Sequence, residues 1–513
     1  MRRKVMTRLS LLQLLLLSLS ALGLGACAPG PSSTLPHLPR FAPRACPFTP
    51  DPSVTVGKTL TCGTLTVFEN RQHPSAAHLV RLPVAVFAAP GPAATVGDPV
   101  VYLAGGPGVG IVQTLGPSVT PTLMTAVFGN RSVILFDQRG AGLSQPSLAC
   151  PEYSAAFYAA LAAGRSAQQE ADARNRALQA CEQRVRQAGS DPAQYTTRNN
   201  AADVQDLLLA LHLPHVSLFG VSYGTRLALE VLHEFPERIR SMVLDSAFPP
   251  QDNGYETRLA HNARAFLHVV DACAADVACA AKHPDLQARF FADLDQLQAH
   301  PPTFEFASPS TGMVYTAPLT DEVFISVLVA ALYSTPHIAE IPQLLDQVGQ
   351  GNDEFIAPLA EAVVTDESIA QGMYDSVACA EDAPYATAAG TAAALATLPA
   401  RWQALVAPAA QSQLEECQSW QVPAAPPAEK AAVTSAVPTL IFEGGFDPVT
   451  PRANGTLTAQ TLSHSYEAFF PYETHGVLFP NTCAQHIAVQ FLDRPLSPPD
   501  MSCIALQPPL TFA

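Results

Sequence analysis

The 513-residue sequence predicts an α/β fold, a mostly parallel sheet flanked by helices on both faces, with an inserted, mainly helical cap domain. Three observations predict it. Strand-like and helical patterns alternate through the first half; the rhythm breaks between about 249 and 436; strand-like runs then resume. The length itself implies one large domain with an insertion, or two to three domains. The chain is 48% hydrophobic and 14% charged, against roughly 25% charged in an average soluble protein, which excludes a disordered polyanion and a coiled coil. Acidic residues outnumber basic ones 44 to 28, and the net charge of −16 leaves no broad basic footprint for a nucleic-acid backbone. Forty-seven prolines imply many stiff loops.

The first residues read as an address. Arg2, Arg3, Lys4 and Arg8 precede an apolar run over 9–24 that ends in Gly25-Ala26-Cys27. This is the layout of a signal peptide, expected over 1–26, and the run is too short for a spanning helix of about 20 apolar residues. Leu24-Gly25-Ala26-Cys27 resembles the bacterial lipobox, so Cys27 is the expected lipidation site and 27–45 a lipidated, Pro/Ser-rich tether. An ordinary export signal cut near Ala26 or Ala28 is the alternative. The apolar run 323–333 is only eleven residues and reads as a core helix.

Eleven cysteines, less Cys27, leave ten in near-neighbour couples: Cys46/Cys62, Cys150/Cys181, Cys273/Cys279, Cys379/Cys417 and Cys483/Cys503. An exported chain in an oxidising compartment is expected to close them as five disulfides, although sequence does not fix the connectivity. With no C-x-x-C and no H-x-x-x-H near any cysteine, zinc is not expected.

Strand-like runs fall at 64–68, 80–88, 99–103, 132–137, 215–219, 241–245, 439–443 and 466–471, with helical patterns at 201–211 and 224–234. The segment 46–248 is read as the first part of the α/β core, 249–436 as the helical cap insertion, and 437–513 as the C-terminal part of the core.

The chemistry begins at Gly220-Val221-Ser222-Tyr223-Gly224, a G-x-S-x-G between a strand-like run and a helical pattern. A sharp strand-turn-helix there presents Ser222 above the sheet, and glycines at 220 and 224 avoid collision with neighbouring backbone. In a serine hydrolase of this kind the acid and base follow in the order Ser, Asp or Glu, His. Asp447, just past the run 439–443, and His475, after the run 466–471, satisfy that order; Glu473 and Glu443 are rival acids and His486 a rival base. The oxyanion needs two N–H donors. One is expected from Tyr223, the residue after the nucleophile, and the other from the loop Gly105-Gly106-Pro107-Gly108, with Gly106 preferred over Gly105. No metal and no cofactor is required.

Cys62-Gly63-Thr64-Leu65, the 105–108 loop, Asp137-Gln138-Arg139-Gly140-Ala141-Gly142-Leu143-Ser144, the 220–224 motif, Asp447-Pro448-Val449-Thr450-Pro451 and His475-Gly476 stand in the order found in exported α/β-hydrolase peptidases. The chain resembles the tripeptidyl aminopeptidase branch of the proline iminopeptidase-like serine peptidases over nearly its whole mature length, including a C-terminal region like that branch's. The resemblance implies the α/β-hydrolase fold with a helical cap, and an exopeptidase releasing short N-terminal units through an acyl-enzyme. It departs at Ala104, where many relatives carry His, and no acidic cluster matching the one that holds the substrate's free amine in proline iminopeptidases is evident. An ammonium group calls for buried or semi-buried carboxylates, and the candidates are Glu381, Asp382 and Asp375. The segment 137–144 is expected mainly as support, its Asp and Arg bracing one another and the oxyanion loop. The expected partner is a peptide substrate, with no nucleic acid and contact with a membrane only through a lipid on Cys27, in the bacterial cell envelope. An esterase or amidase for small apolar acyl compounds is the alternative activity.

Overall fold

The computed structural model describes residues 35–93 and 97–513. Its centre is a nine-stranded sheet built from β1 (Arg40–Pro43), β2 (Leu60–Phe68), β3 (Leu79–Phe87), β4 (Val100–Leu103), β5 (Val133–Phe136), β6 (Val216–Val221), β7 (Ile239–Asp245), β10 (Thr439–Gly444) and β11 (Ser465–Phe470). The spatial order is β1-β2-β3-β5-β4-β6-β7-β10-β11. The first three strands and the β3–β5 pair are antiparallel; from β5 through β4, β6, β7 and β10 to β11 every pairing is parallel. Composition explains the parallel half. The strand sequences Val-Ile-Leu-Phe of β5 and Thr-Leu-Ile-Phe-Glu-Gly of β10 are buried at every position, as required of strands covered on both faces.

Helices Thr197–Ala210 and Tyr223–Glu234 pack on one face, contributing Val204, Leu207, Leu227 and Val231 to a core with Leu103, Ile134 and Leu218 from the strands. On the other face Ile487, Ala488 and Phe491 of the helix Thr482–Asp493 pack with Phe219 and Phe442. All eight strand-like runs and both helical patterns expected from sequence form, and the apolar run near 323 lies in the helix Asp321–Ala331.

Between β7 and β10 the chain leaves the sheet and builds a mostly helical layer with a small antiparallel hairpin, β8 (Thr303–Ala307) and β9 (Val314–Pro318). Its core is aromatic: Phe290 stacks on Trp402 with ring centroids 4.9 Å apart, and Phe266 and Phe324 pack in the same cluster. Two helices within the stretch assigned to the sheet body, Pro151–Ala162 and Ala167–Gln187, extend this layer: Tyr158 and Leu161 of the first lie in the same cluster, with Tyr158 edge-on to Phe306, and Leu178 and Val185 of the second pack with Met373 and Trp420. The layer therefore draws on two stretches of chain, and sheet and layer form one compact unit, His37–Ala513.

The expected tether needs correction where it is described. Arg40–Pro43 is not a free linker but an edge strand, paired antiparallel with 63–66 of β2. A four-residue strand with proline on either side carries too little periodicity to be read from sequence. The signal segment and Cys27 lie outside the described residues. All five cysteine couples form disulfides: Cys46–Cys62, Cys150–Cys181, Cys273–Cys279, Cys379–Cys417 and Cys483–Cys503. No helix among the described residues is long and apolar enough to cross a membrane.

The 137–144 segment supports the glycine loop as expected, through Asp137 to Ile111 and Val112, but its Asp and Arg do not brace one another. Arg139 does not meet Asp137; its guanidinium forks onto Asp203, with Nε–Oδ2 2.7 Å and Nη2–Oδ1 2.8 Å, both side chains fully buried. Arg71 adds a second cation at 2.5 Å. Burial acts to raise the Asp203 pKa, but the two arginines outweigh it and hold the carboxyl below its usual range. Removing Arg139 leaves Asp203 with Arg71 alone and breaks a buried, charge-assisted fork, so Arg139→Ala is expected to cost about 2–3 kcal/mol. A denaturant-unfolding midpoint measured against wild type checks this, with the exposed Arg186→Ala, expected within about 1 kcal/mol of wild type, as the control.

Candidate active site

The site lies where β4, β6, β7, β10 and β11 end, at one edge of the parallel half of the sheet, the usual place for ligands in open α/β sheets. β6 runs directly into the helix Tyr223–Glu234, and Ser222 between them has φ 57° and ψ −124°. A non-glycine residue held there stores backbone strain. Glycines make the turn possible: a side-chain carbon on Gly220 would lie 2.4 Å from the Gly224 carbonyl oxygen, and one on Gly224 2.0 Å from that of Leu103.

Asp447 follows β10 and is saturated with donors. Its Oδ1 accepts the N–H groups of Val449 and Thr450, both at 2.8 Å, and its Oδ2 accepts the Thr450 hydroxyl and His475 Nδ1, again at 2.8 Å. Burial works to raise the Asp447 pKa, yet the His475 charge and hydrogen bond, with the two backbone N–H groups, bring it below the usual value. For His475 burial works to lower the pKa, and Asp447, with a smaller contribution from Asp245, outweighs it and raises the imidazole above 6.5. The rival residues do not take these roles. Glu473 accepts from Asn481 and Thr335 at 2.7 and 2.6 Å, and Glu443 is pushed by burial and by the charges of Glu467 and Asp447 to about 9, which leaves it neutral. His486 lies on the helix Thr482–Asp493, where its charge acts on Asp500.

Asp245, at the end of β7, connects the pieces. Its carbonyl accepts the Ser222 N–H at 3.0 Å. Its carboxylate accepts the N–H groups of Val477 and Leu478, each at 2.9 Å, and the neighbouring Ser246 hydroxyl accepts that of Gly476. The serine turn and the histidine loop are thus fastened to one strand end. Burial raises the Asp245 pKa to about 6 against the pull of those two N–H groups. The Tyr333 ring meets His475 edge-on at 5.2 Å.

The glycine loop after β4 closes the other side. A side-chain carbon on Gly105 would lie 3.2 Å from Ser222 Cβ, so this residue abuts the serine, whereas Gly106, at φ +108°, faces Gly108 and Val109. The N–H groups of Gly105, Gly106 and Tyr223 donate to no protein acceptor among the described residues. Asp137 holds the loop's far end, accepting from Ile111, Val112 and Leu143 at 2.7, 2.8 and 2.9 Å.

The three cap carboxylates differ sharply. Asp382 pairs with Arg226 at 3.0 Å and Lys430 at 2.6 Å. Glu381 accepts the Thr197 N–H at 2.7 Å and its hydroxyl at 2.6 Å, and that hydroxyl in turn meets the Tyr223 OH at 2.9 Å. Both are therefore spent on internal bracing, contrary to the expectation that they await a substrate amine. Asp375 is different. It is fully buried on the helix Gln371–Glu381, its only side-chain donor among the described residues is Gln371, and burial followed by the charge of Glu416 lifts its pKa far above the usual range. The chain entering that helix touches the glycine loop: Ala370 N–H donates to the Gly108 carbonyl at 3.0 Å, and Ile369 bridges Val109.

Sequence reasoning missed Thr450, Asp245, Tyr333 and Glu416. Thr450 was visible within Asp-Pro-Val-Thr-Pro, and Glu416 beside Cys417. Asp245 and Tyr333 carry no local signal, because their roles arise only when distant strands and cap meet.

Sheet order, strained serine turn and acid–histidine pair define a serine hydrolase with the α/β-hydrolase fold. Residues 98–278 match the family model described as α/β hydrolase fold, and 403–503 that described as TAP-like protein. The chain is 24% identical over 485 residues to the serine protease Hip1 of Mycobacterium tuberculosis, covering 88% of each chain, and equally to that of Mycobacterium bovis. Among solved structures it is similar to a serine hydrolase from Cycloclasticus zankles (12% identity, 84% of this chain and 98% of that one, TM-score 0.35). It is also similar to an esterase from Thermogutta terrifontis (14%, 80% and 90%, TM-score 0.31).

The pKa directions give a pH prediction. A general base works only when neutral, so kcat/KM should rise with pH through the His475 pKa, at a point above the free-imidazole value of about 6.5. Asp447→Asn removes the charge that raises it. The acid limb should then move to lower pH while kcat falls by about 10⁴-fold, as in other triads. A pH–rate profile of both proteins on one chromogenic ester tests it.

Proposed function

We propose that this chain is an exported serine aminopeptidase that releases short N-terminal units from peptides through an acyl-enzyme. Ser222 attacks the scissile carbonyl. His475 takes the serine proton and delivers it to the leaving amine, while Asp447, already bonded to Nδ1, fixes the tautomer with Nε2 free to act. Tyr223 and the 105–106 loop supply N–H groups to the oxyanion, a role supported by those donors having no acceptor among the described residues. Water then attacks the acyl-enzyme by the same steps in reverse.

The observation that carries the aminopeptidase reading is the fully buried Asp375, which feels the charge of the half-buried Glu416 and lies on a helix whose entry, at Ala370, bonds the glycine loop. Burial, followed by the charge of Glu416, raises the Asp375 pKa well above its usual range, so this acid favours its protonated form until a cation arrives. An α-ammonium can displace that proton and pair with the Asp375 carboxylate. The disulfide Cys379–Cys417 joins the two helices one turn and one residue beyond these acids, and Tyr153 donates to Glu416 at 3.2 Å. Resemblance to a serine protease supports a peptide substrate. Export and a lipid anchor at Cys27 are supported by the N-terminal pattern and by five disulfides, which suit an oxidising compartment.

Ser222→Ala should lower turnover by ~10³-fold or more without unfolding the protein, as circular dichroism would show. A peptide p-nitroanilide with a free N-terminus should be cleaved and its N-acetylated twin refused; equal cleavage of both, or turnover of simple esters alone, would favour the esterase reading. Asp375→Asn should raise KM for the free-amine substrate by roughly 10-fold or more, the scale of one charge-assisted hydrogen bond, with little change in kcat.

A further inference from the structure

Gln138 follows β5 and is 1% exposed, yet neither the catalytic chemistry nor the Arg139–Asp203 pairing uses it. Its Nε2 donates to the Ala104 carbonyl oxygen at 2.9 Å. Ala104 is equally buried, and no other donor reaches that oxygen among the described residues. The Ala104–Gly105 peptide is trans, so its C=O and N–H point in opposite directions. A carbonyl fixed on Gln138 therefore turns the Gly105 N–H away from Gln138. Gly224 sits against the same carbonyl, since a side-chain carbon there would come within 3.0 Å of it. Gly105, on the other side of this peptide, abuts Ser222.

We infer that Gln138 is a positioning residue for the oxyanion site: its amide locks the Ala104–Gly105 peptide in the orientation that leaves the Gly105 N–H unspent beside Ser222. Glycine at 105 offers little resistance to rotation of that peptide, and a buried carbonyl without a donor turns to find one. The hydrogen bond from Gln138 removes that freedom. This rests on Ser222 being the nucleophile, which is tested separately by covalent labelling of the wild-type protein with a fluorophosphonate.

Gln138→Leu and Gln138→Glu test the inference, with p-nitrophenyl butyrate as substrate and phenylboronic acid as mimic of the tetrahedral intermediate. In Gln138→Leu, kcat/KM should fall roughly 10²-fold, the effect of losing one oxyanion donor, and phenylboronic acid affinity should fall with it. Gln138→Glu keeps the shape and carries the test should the leucine variant fail to fold. When protonated it donates an O–H to the Ala104 carbonyl; when ionised it offers acceptors alone and repels that oxygen. Its rate should stay near wild type at lower pH and fall as pH rises through the glutamate's burial-raised pKa, an alkaline limb absent from wild type. A support role confined to packing moves thermal stability without creating that limb. Superposable pH profiles for Gln138→Glu and wild type, or a folded Gln138→Leu with wild-type rate and boronate affinity, would overturn the inference. A wild-type protein that takes no fluorophosphonate at Ser222 would instead overturn the nucleophile assignment beneath it.

Discussion

Asp245 is the point on which the site's geometry turns. One residue at the end of one strand accepts the N–H of the serine through its carbonyl and two N–H groups of the histidine loop through its carboxylate. Those segments lie more than two hundred residues apart in sequence, and only the parallel register of β6, β7 and β10 brings them to the same edge. Burying a carboxylate is expensive without donors, and its pKa of about 6 records that cost as partly met. Positional precision follows from the burial. A clamp excluded from water cannot exchange its N–H partners for solvent, so the imidazole loop is held at the height of the strained serine turn.

The helical layer adds a different kind of control. Its acids are not interchangeable: Asp382 is neutralised by two cations, Glu381 holds Thr197 and through it the Tyr223 hydroxyl, and Asp375 takes its side-chain donor from Gln371 and feels the charge of Glu416. Neighbouring residues 381 and 382 thus brace the serine turn and the Arg226 helix from behind. Asp375 sits two turns earlier on the same helix, whose capping residue Ala370 bonds the glycine loop. Helical periodicity sorts three acids of similar sequence context into separate jobs.

Much of this was legible in the sequence. The parallel strands announce themselves as apolar runs, and Ser222, Asp447 and His475 each follow one in the order the chemistry needs. The cysteine couples were legible because near neighbours in sequence close easily. What could not be read depended on tertiary contact. Glu381, Asp382 and Asp375 are all acids near the same disulfide, and only packing shows which has its lone pairs already occupied. The pairing of Arg139 with Asp203 in place of Asp137 likewise needs the helix Thr197–Ala210 to be laid against the sheet. The helices over 151–187 share the composition of core helices, so nothing local assigns them to the cap.

The short strand at Arg40–Pro43 bears on how molecules of this protein meet one another. An outermost strand normally exposes a row of unsatisfied amide and carbonyl groups onto which a foreign strand can zip. Here that border is only four residues long, preceded by Pro39 and ended by Pro43. Proline lacks the amide proton such zipping consumes, so this flank of the sheet is a poor template for lateral growth into aggregates.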